Sequence, residues 1–235
     1  EIMSSDNLNN EKYKYEGQVE DILDYHCDRL EQKHPLERKI KFLLDIRGYL
    51  KVNKIKGSYF EFGCFEAKTM YCAHKILECT SLINNYVGLD TFEGEPKMSM
   101  TENRLIPFVN EGSFASNIES VQSFVDKNIG KKGHLVQGDF RKKEIIEKCD
   151  KFGPISVAFV DCNILSSISS SLEYILKNIV PGGIIFIDDY YTNFAEGKAS
   201  VNDLVLSKFK SSNFELIEHG FYYPFGRSFI VATKT

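Results

Sequence analysis

The chain has 235 residues, 43% of them hydrophobic, and carries a formal net charge of -4 at pH 7. This length and apolar content are enough for one sizeable core, so we expect one domain with extensions. The slight excess of acidic residues gives no overall positive field to attract a polyanion, which argues against a nucleic-acid partner.

The spacing of the cysteines and the absence of long apolar runs indicate the cellular compartment in which the protein is expected. None of the six cysteines forms a Cys-x-x-Cys pair, so we expect free thiols in a reducing environment rather than a zinc or redox motif. The first residues show no charged-then-apolar signal pattern, and no apolar run reaches the length of about 20 residues that spans a bilayer. We therefore expect a cytoplasmic protein that has no membrane partner.

Residues 1–57 are predicted to form an N-terminal helical extension. Apolar residues recur at a spacing of about 3.6 residues over 19–30 and again over 36–50. Pro35 stands where the second of these helices can begin. Both helices precede the first predicted strand, which starts at Ser58.

From residue 58 onward, short apolar runs alternate with helical patterns, which is typical of βαβ units and a mostly parallel sheet. The last two runs are separated by a turn that is too short for a crossover helix, so they should pair antiparallel at the sheet edge. The sequence thus predicts an α/β fold with a doubly wound, seven-stranded, mostly parallel sheet. The predicted strands are 58–62, 86–89, 134–137, 155–160, 183–187, 214–218 and 228–232, and the apolar helical stripes run over 67–77, 114–125, 165–179 and 201–209.

One connection, residues 91–113, is rich in Gly, Met, Pro, Asn and Glu and has no regular periodicity. A connection of this length inside a compact domain is either disordered or a lid over a binding site. Of these two interpretations we favour a lid.

Acidic residues stand at the ends of all five predicted parallel strands. In a doubly wound sheet the ligand lies outside these carboxyl ends, near the point where the strand order reverses. So many carboxylates at one edge would repel one another without a cation, so we infer a positively charged ligand, a metal, or both. An adjacent pair of aspartates with a third on another strand end suits a hard cation such as Mg²⁺. The acids are Glu61, Asp90, Asp139, Asp161, Asp188 and Asp189.

Several short motifs at these strand ends form a recognisable set. They are Glu61-Phe62-Gly63, the string Gly-Leu-Asp-Thr-Phe-Glu-Gly at 88–94, Gly138-Asp139-Phe140, Val160-Asp161-Cys162-Asn163, and Pro181-Gly182-Gly183 leading to Asp188-Asp189-Tyr190. From Ser58 to the C-terminus the chain resembles the macrocin O-methyltransferase group of class I S-adenosylmethionine-dependent methyltransferases, enzymes that methylate sugar hydroxyls of antibiotics. The resemblance implies a methyltransferase domain over 58–235 that includes the lid at 91–113.

The resemblance also implies how S-adenosylmethionine is held. The methionine end of the cofactor would lie beside Gly63, with Glu61 near its ammonium group. Asp90 would bind the ribose hydroxyls and Asp139 would face the adenine amine. The neighbouring Thr91 and Phe140 are included in this predicted cofactor site.

The predicted metal ligands are Asp161, Asp188 and Asp189, with Mg²⁺ or another divalent cation as the metal. A metal would lower the pKa of a bound sugar hydroxyl, and a nearby carboxylate could then take its proton. Asp161 is the first candidate for this base and His134 the second. Two positions depart from the family pattern: Ala67 replaces a common glycine, and Asn163 replaces a second aspartate, which removes one candidate base or outer-shell metal ligand.

The reaction that we expect is O-methylation of a sugar-like small molecule, such as a nucleotide sugar. An amine or amide acceptor, and a non-catalytic module that only binds S-adenosylmethionine, remain alternatives. A nicotinamide-dependent oxidoreductase is a distant alternative, because Gly63 is followed by Cys, Phe and Glu rather than by the Gly-x-Gly-x-x-Gly that a pyrophosphate needs. The oligomeric state is left open, with a homodimer as one option.

Overall fold

The computed structural model describes residues 36–106, 109–192 and 200–234, and the helix predicted at 19–30 lies outside these ranges. Arg38–Thr235 forms one compact unit. Its strands are β1 (Gly57–Phe62), β2 (Ile83–Asp90), β3 (Gly133–Gln137), β4 (Ile155–Val160), β5 (Ile179–Ile187), β6 (Phe214–Tyr222) and β7 (Gly226–Thr233). Its helices are α1 (Leu36–Asn53), α2 (Lys68–Leu77), α3 (Met100–Leu105), α4 (Ile118–Asn128), α5 (Lys143–Ile146), α6 (Leu165–Asn178) and α7 (Val201–Lys210).

The seven strands form one sheet in the order β3-β2-β1-β4-β5-β7-β6. Strands β1 to β5 pair in parallel, whereas β7 pairs antiparallel with both β5 and β6. The strand order reverses between β1 and β4, so a crevice between these two strand ends is the expected ligand site. This arrangement confirms the predicted doubly wound sheet with its antiparallel C-terminal pair.

The sheet is covered by helices on both faces, and its central strands are therefore buried. Every residue of β1 and of β4 is buried. Helix α1 packs on one face of the sheet, where Phe42 lies 5.9 Å from the ring of Phe159 and 4.6 Å from the ring of Phe186. Full burial of each such ring contributes about 1.5–3 kcal/mol. Helix α1 is thus fixed to the middle of the sheet, directly above β4 and β5.

Two of the element boundaries that differ from the prediction have a clear local cause. Strand β5 begins at Ile179, four residues before the predicted start, because a bulge opposite Ile155 and Val157 accommodates Pro181-Gly182-Gly183 within the strand. Helix α4 begins at Ile118, since the side chain of Asn117 accepts the Ser120 N–H and caps it. The apolar stripe that was predicted to begin at residue 114 therefore starts one turn too early.

The segment 91–113 is described except for residues 107–108, and it has regular structure of its own. Helix α3 lies within it and starts at a capping box that joins Ser99 and Glu102. Backbone hydrogen bonds also close the segment on itself, from Glu95 N to Ser113 O and from Gly112 N to Glu95 O. None of the helices in the described ranges is both long and apolar enough to cross a membrane.

Candidate functional site

The turn after β1 brings the ends of three strands together. The Gly63 N–H donates to Leu89 O at the end of β2, and the Asp161 N–H at the end of β4 donates to Phe62 O. Gly63 has a φ of +86°, and a Cβ added there would lie 2.3 Å from the Asp161 carbonyl oxygen. Only glycine fits such a conformation at such close range. Ala67, four residues on, has a left-handed φ of 56°, a conformation that favours glycine.

Asp90 joins the loops that follow β1 and β2. Its carboxylate accepts the N–H of Phe65 and the N–H of Phe92, each at 2.8 Å. Burial nevertheless raises the pKa of Asp90 above its ordinary value. The next residue, Thr91, donates its hydroxyl to the Gly94 carbonyl and closes the turn that begins the segment 91–113.

Glu61 is a carboxyl group that is buried within the sheet, with 1% of its surface exposed. The Tyr59 hydroxyl donates to its Oε2 at 2.7 Å. Burial raises the pKa of Glu61 to about 8, and the nearby carboxylates of Asp161 and Asp90 act in the same direction. A cation placed beside this group would stabilise its ionised form.

Two residues of α1 supply cations to the ends of β4 and β5. Arg38 donates from Nε and Nη2 to the two carboxylate oxygens of Asp188, both at 2.7 Å. The Lys39 ammonium donates to Asp161 Oδ2 and lies 3.6 Å from Asp188 Oδ2. A cation among these acids was expected from the sequence, but the sequence patterns did not point to Arg38 or Lys39. Both lie in the first turn of α1, before its buried apolar residues begin at Phe42. Charged side chains in the first turn of a helix ordinarily face solvent.

These cations have different effects on the three aspartates. Burial raises the pKa of Asp161 to about 7, although Lys39 opposes the rise. Burial would also raise the pKa of Asp188, but its hydrogen bonds with Arg38 and the charge of Lys39 lower it below the ordinary value. Burial and the neighbouring Asp188 raise the pKa of Asp189 to about 6.

The residues at these strand ends do not fit a divalent metal. Both oxygens of Asp188 accept from Arg38, and Lys39 holds Asp161. In the described ranges no group of three or more His, Cys, Asp or Glu residues is placed to hold a metal ion. The predicted ligand set of Asp161, Asp188 and Asp189 is therefore not assembled for a metal in this geometry.

Asp139 and Phe140 follow β3 and lie on the other side of β2 from β1. Arg141 binds both oxygens of the Asp139 carboxylate, with Nε at 2.9 Å from Oδ1 and Nη2 at 2.8 Å from Oδ2. Burial would raise the pKa of Asp139, but its hydrogen bonds with Arg141 lower it overall. Phe140 packs edge-on against Phe62 of β1, with ring centroids 5.7 Å apart.

Two hydrogen bonds fasten the segment 91–113 to the chain that follows β4. The Asn163 side-chain amide donates to Glu95 Oε1 at 2.5 Å. Glu102 Oε1 accepts the Ser166 N–H at 2.9 Å. An aspartate at 163 would repel Glu95, which gives a local reason for the departure from the Asp-x-Asp pattern. The segment therefore lies beside the ends of β2 and β4, as a lid would.

His134 does not belong to this group of residues. It is the second residue of β3, so it lies towards the opposite end of the sheet from the acidic strand ends. Its ring stacks on Phe152 with centroids 4.6 Å apart, and Nε2 lies 3.2 Å from Asn85 Oδ1. The structure thus brings together Glu61, Gly63, Asp90, Asp161, Asp188 and Asp189, and it places His134 elsewhere.

No family model matches the chain, and no curated protein matches it. Several solved structures, in contrast, are similar to this chain. The O-methyltransferase NovP is similar at a TM-score of 0.68 and 16% identity, covering 84% of this chain and 80% of that one. The calicheamicin methyltransferase CalS11 is similar at a TM-score of 0.63 and 20% identity, covering 87% and 85%.

A third similar structure is that of the SAH-bound methyltransferase PaMTH1 of Podospora anserina, at a TM-score of 0.55 and 13% identity over 100% of this chain and 99% of that one. The fold is that of the class I methyltransferases. In this fold, the acidic residues at the ends of β1 and β4 lie at the point where the strand order reverses. The remaining question is which chemistry these particular residues support.

Proposed function

We propose that the protein is an S-adenosylmethionine-dependent methyltransferase that acts on a hydroxyl of a sugar-like small molecule. The observation that carries this proposal is the buried acidic group at the β1 and β4 strand ends of a class I methyltransferase fold. A crevice rich in buried carboxyl groups favours a cationic ligand and disfavours a pyrophosphate, so it supports a sulfonium cofactor over a dinucleotide.

Three residues form the cofactor side of the proposed site. Gly63 lets the backbone after β1 approach the end of β4 closely, and so shapes the turn beside which the ligand is proposed to lie. Glu61 offers a buried carboxyl that gains from a neighbouring ammonium or sulfonium. Asp90 ends β2, the position from which an acid binds ribose hydroxyls in doubly wound folds. These features fit S-adenosylmethionine.

The acceptor side is proposed to lie at the ends of β4 and β5. When bound, S-adenosylmethionine supplies the methyl group and becomes a neutral thioether as that group leaves. Asp161 is proposed to accept the proton that the acceptor hydroxyl loses, because it follows β4 directly, with its backbone carbonyl against the Gly63 turn and its carboxylate held by Lys39. Low exposure to water around these groups would favour a transfer in which charge is neutralised.

A sugar-like acceptor is supported by the residues that follow Asp189. The rings of Tyr190 and Tyr191 lie 5.0 Å apart, and the Arg227 guanidinium carbon lies 5.6 and 5.5 Å from their centroids. Tyr190 is buried, whereas Tyr191 and Arg227 are half-buried, and these two would supply the aromatic face and the polar group that a sugar needs. CalS11, a TDP-rhamnose 3'-O-methyltransferase, has the same fold at a TM-score of 0.55 and 18% identity. Magnesium is not part of the proposal, because Arg38 and Lys39 already pair with the predicted ligands.

Isothermal titration with S-adenosylhomocysteine, and with NAD as the comparison ligand, tests the cofactor. We expect saturable binding of the first and none of the second. Binding of NAD alone would overturn the proposal. A methylation screen across nucleotide-linked sugars then tests the acceptor, and cofactor binding without turnover on any of them would favour the non-catalytic module.

A further inference from the structure

The ion pairs at the ends of β4 and β5 involve two consecutive residues of one helix. Lys39 has 11% of its side chain exposed, and Asp188 has 4%. Lys39 lies within reach of two carboxylates at once, since it contacts Asp161 and stands 3.6 Å from Asp188. Arg38 binds Asp188 in a bidentate manner. Such pairs fix both planar groups in orientation as well as in distance.

Packing of α1 explains why its cations point towards the sheet. The buried face of the helix consists of Lys39, Phe42, Leu43, Ile46 and Leu50. Lys39 precedes Phe42 by three residues and Leu43 by four, so it lies on the face that contacts the sheet. Its ammonium also lies 5.7 Å from the centroid of the Phe159 ring in β4. The apolar contacts of α1 therefore place the ammonium at the strand end where Asp161 stands.

The charge that these residues supply equals that of one divalent cation. Buried carboxylates need a compensating partner, and removing one partner of a buried pair is strongly destabilising. We propose that Lys39 and Arg38 take the place of a divalent metal at Asp161 and Asp188, and that Lys39 is the residue that positions Asp161 for a metal-independent methyl transfer. The catalytic part of this inference rests on the proposed function, whereas the replacement of the metal rests on the ion pairs alone.

A titration with Mn²⁺, used as a probe for divalent cations, tests the replacement. We expect no saturable binding by the wild-type protein, and the same Tm in MgCl₂ as in NaCl at equal ionic strength. Lys39→Met frees the Asp161 carboxylate, so this variant should have a Tm lower by about 5–10 °C and should bind Mn²⁺ at least about tenfold more tightly than wild type. Lys41→Met is the matched control, because Lys41 lies on the same helix but is exposed and pairs with Asp45.

Saturable Mn²⁺ binding by the wild-type protein that is lost in Asp161→Asn would overturn the inference. A folded Lys39→Met variant that gains no Mn²⁺ affinity would overturn it as well. If Lys39→Met does not fold, the wild-type titration and Lys39→Arg, which keeps the charge and should bind no Mn²⁺, still decide the question.

Turnover in EDTA tests the catalytic part, and we expect the same rate with and without the chelator. A loss of activity in EDTA would overturn metal independence. Failure to bind S-adenosylhomocysteine would instead overturn the proposed function and would leave the Mn²⁺ result standing. The two failures are thus distinguishable.

Discussion

Replacing Gly63 with alanine gives the sharpest test of how closely the ends of β1 and β4 approach. Gly63 has a φ of +86°, and an added Cβ would lie 2.3 Å from the carbonyl oxygen of Asp161 and 3.0 Å from its carbonyl carbon. The left-handed conformation costs a non-glycine residue about 1–2 kcal/mol. Overpacking costs about 1–3 kcal/mol, and here the opposing atoms are backbone, which cannot rotate away. We expect Gly63→Ala to lower the free energy of unfolding by about 2–5 kcal/mol.

Two other glycines separate these contributions. Gly112 also has a positive φ, +82°, but an added Cβ there meets nothing within 4 Å. Gly48 lies within α1 and likewise has open space around it, without a left-handed φ. Gly112→Ala should therefore show the conformational cost alone. Gly48→Ala should be neutral or stabilising by up to about 1 kcal/mol, since alanine has the higher helix propensity.

Urea unfolding of the three variants measures these free energies, and isothermal titration with S-adenosylhomocysteine measures the effect on the site. For a chain of this size, the expected loss for Gly63→Ala corresponds to a Tm lower by about 5–15 °C. Cofactor affinity should fall in this variant alone. Equal destabilisation by Gly63→Ala and Gly112→Ala would show that the strand ends are not in close contact, and normal cofactor affinity in Gly63→Ala would show that the site is misplaced.

Three further changes test the lid and the limits of the site. Asn163→Asp should place a carboxylate against Glu95 and speed cleavage within 91–113 in limited proteolysis; an unchanged rate would mean that the Asn163 bond does not hold the lid. Hydrogen bonds from Ser166 and Ser99 lower the pKa of Glu102 from its ordinary value of 4.5 to about 2 despite burial. The ionised carboxylate therefore contributes its full stabilisation of the fold above pH 4.5, and this stabilisation is lost as the pH falls towards 2. Glu102→Gln should lower the free energy of unfolding, measured in urea near neutral pH, by about 1–3 kcal/mol. The difference from wild type should shrink as the pH falls, and a difference that stays constant would contradict the role of the charge. His134→Ala should bind S-adenosylhomocysteine as wild type does in titration, because His134 lies away from the strand ends, and weaker binding would place it nearer than described.

The central part of the fold could be predicted because burial leaves a strong trace in the sequence. Strands β1 and β4 are covered on both faces, so all of their residues are buried and they read as short apolar runs. The run of β4 ends directly before Asp161, and β2 ends at Asp90, so an acid marks the end of each of these strands. Sequence alone was therefore enough to predict the acids at these strand ends, but not the cations that pair with them.

Local interactions that compete with periodicity account for the wrong boundaries. The helix expected to begin at residue 114 starts at Ile118, because the Asn117 cap determines where the helical hydrogen bonds begin. Strand β5 extends back through Pro181-Gly182-Gly183, which normally indicates a break, because the bulge in its pairing with β4 accommodates them. In neither case does the apolar pattern show where the element begins, because a helix cap depends on one side-chain hydrogen bond and a bulge on a local change in strand pairing.

The partners of the strand-end acids were missed because the apolar spacing over 36–50 predicts the helix but does not fix its buried face. Leu44 is apolar yet 47% exposed, and the buried face is rotated towards Lys39. With that rotation, Lys39 falls in register with Phe42 and the residues that contact the sheet. The acids did require positive charge, and a metal was the obvious source when α1 was taken as an extension. A lysine in register with the buried face of a helix is a sequence signal for an internal counter-ion, and it should be weighed before a metal is inferred from clustered aspartates.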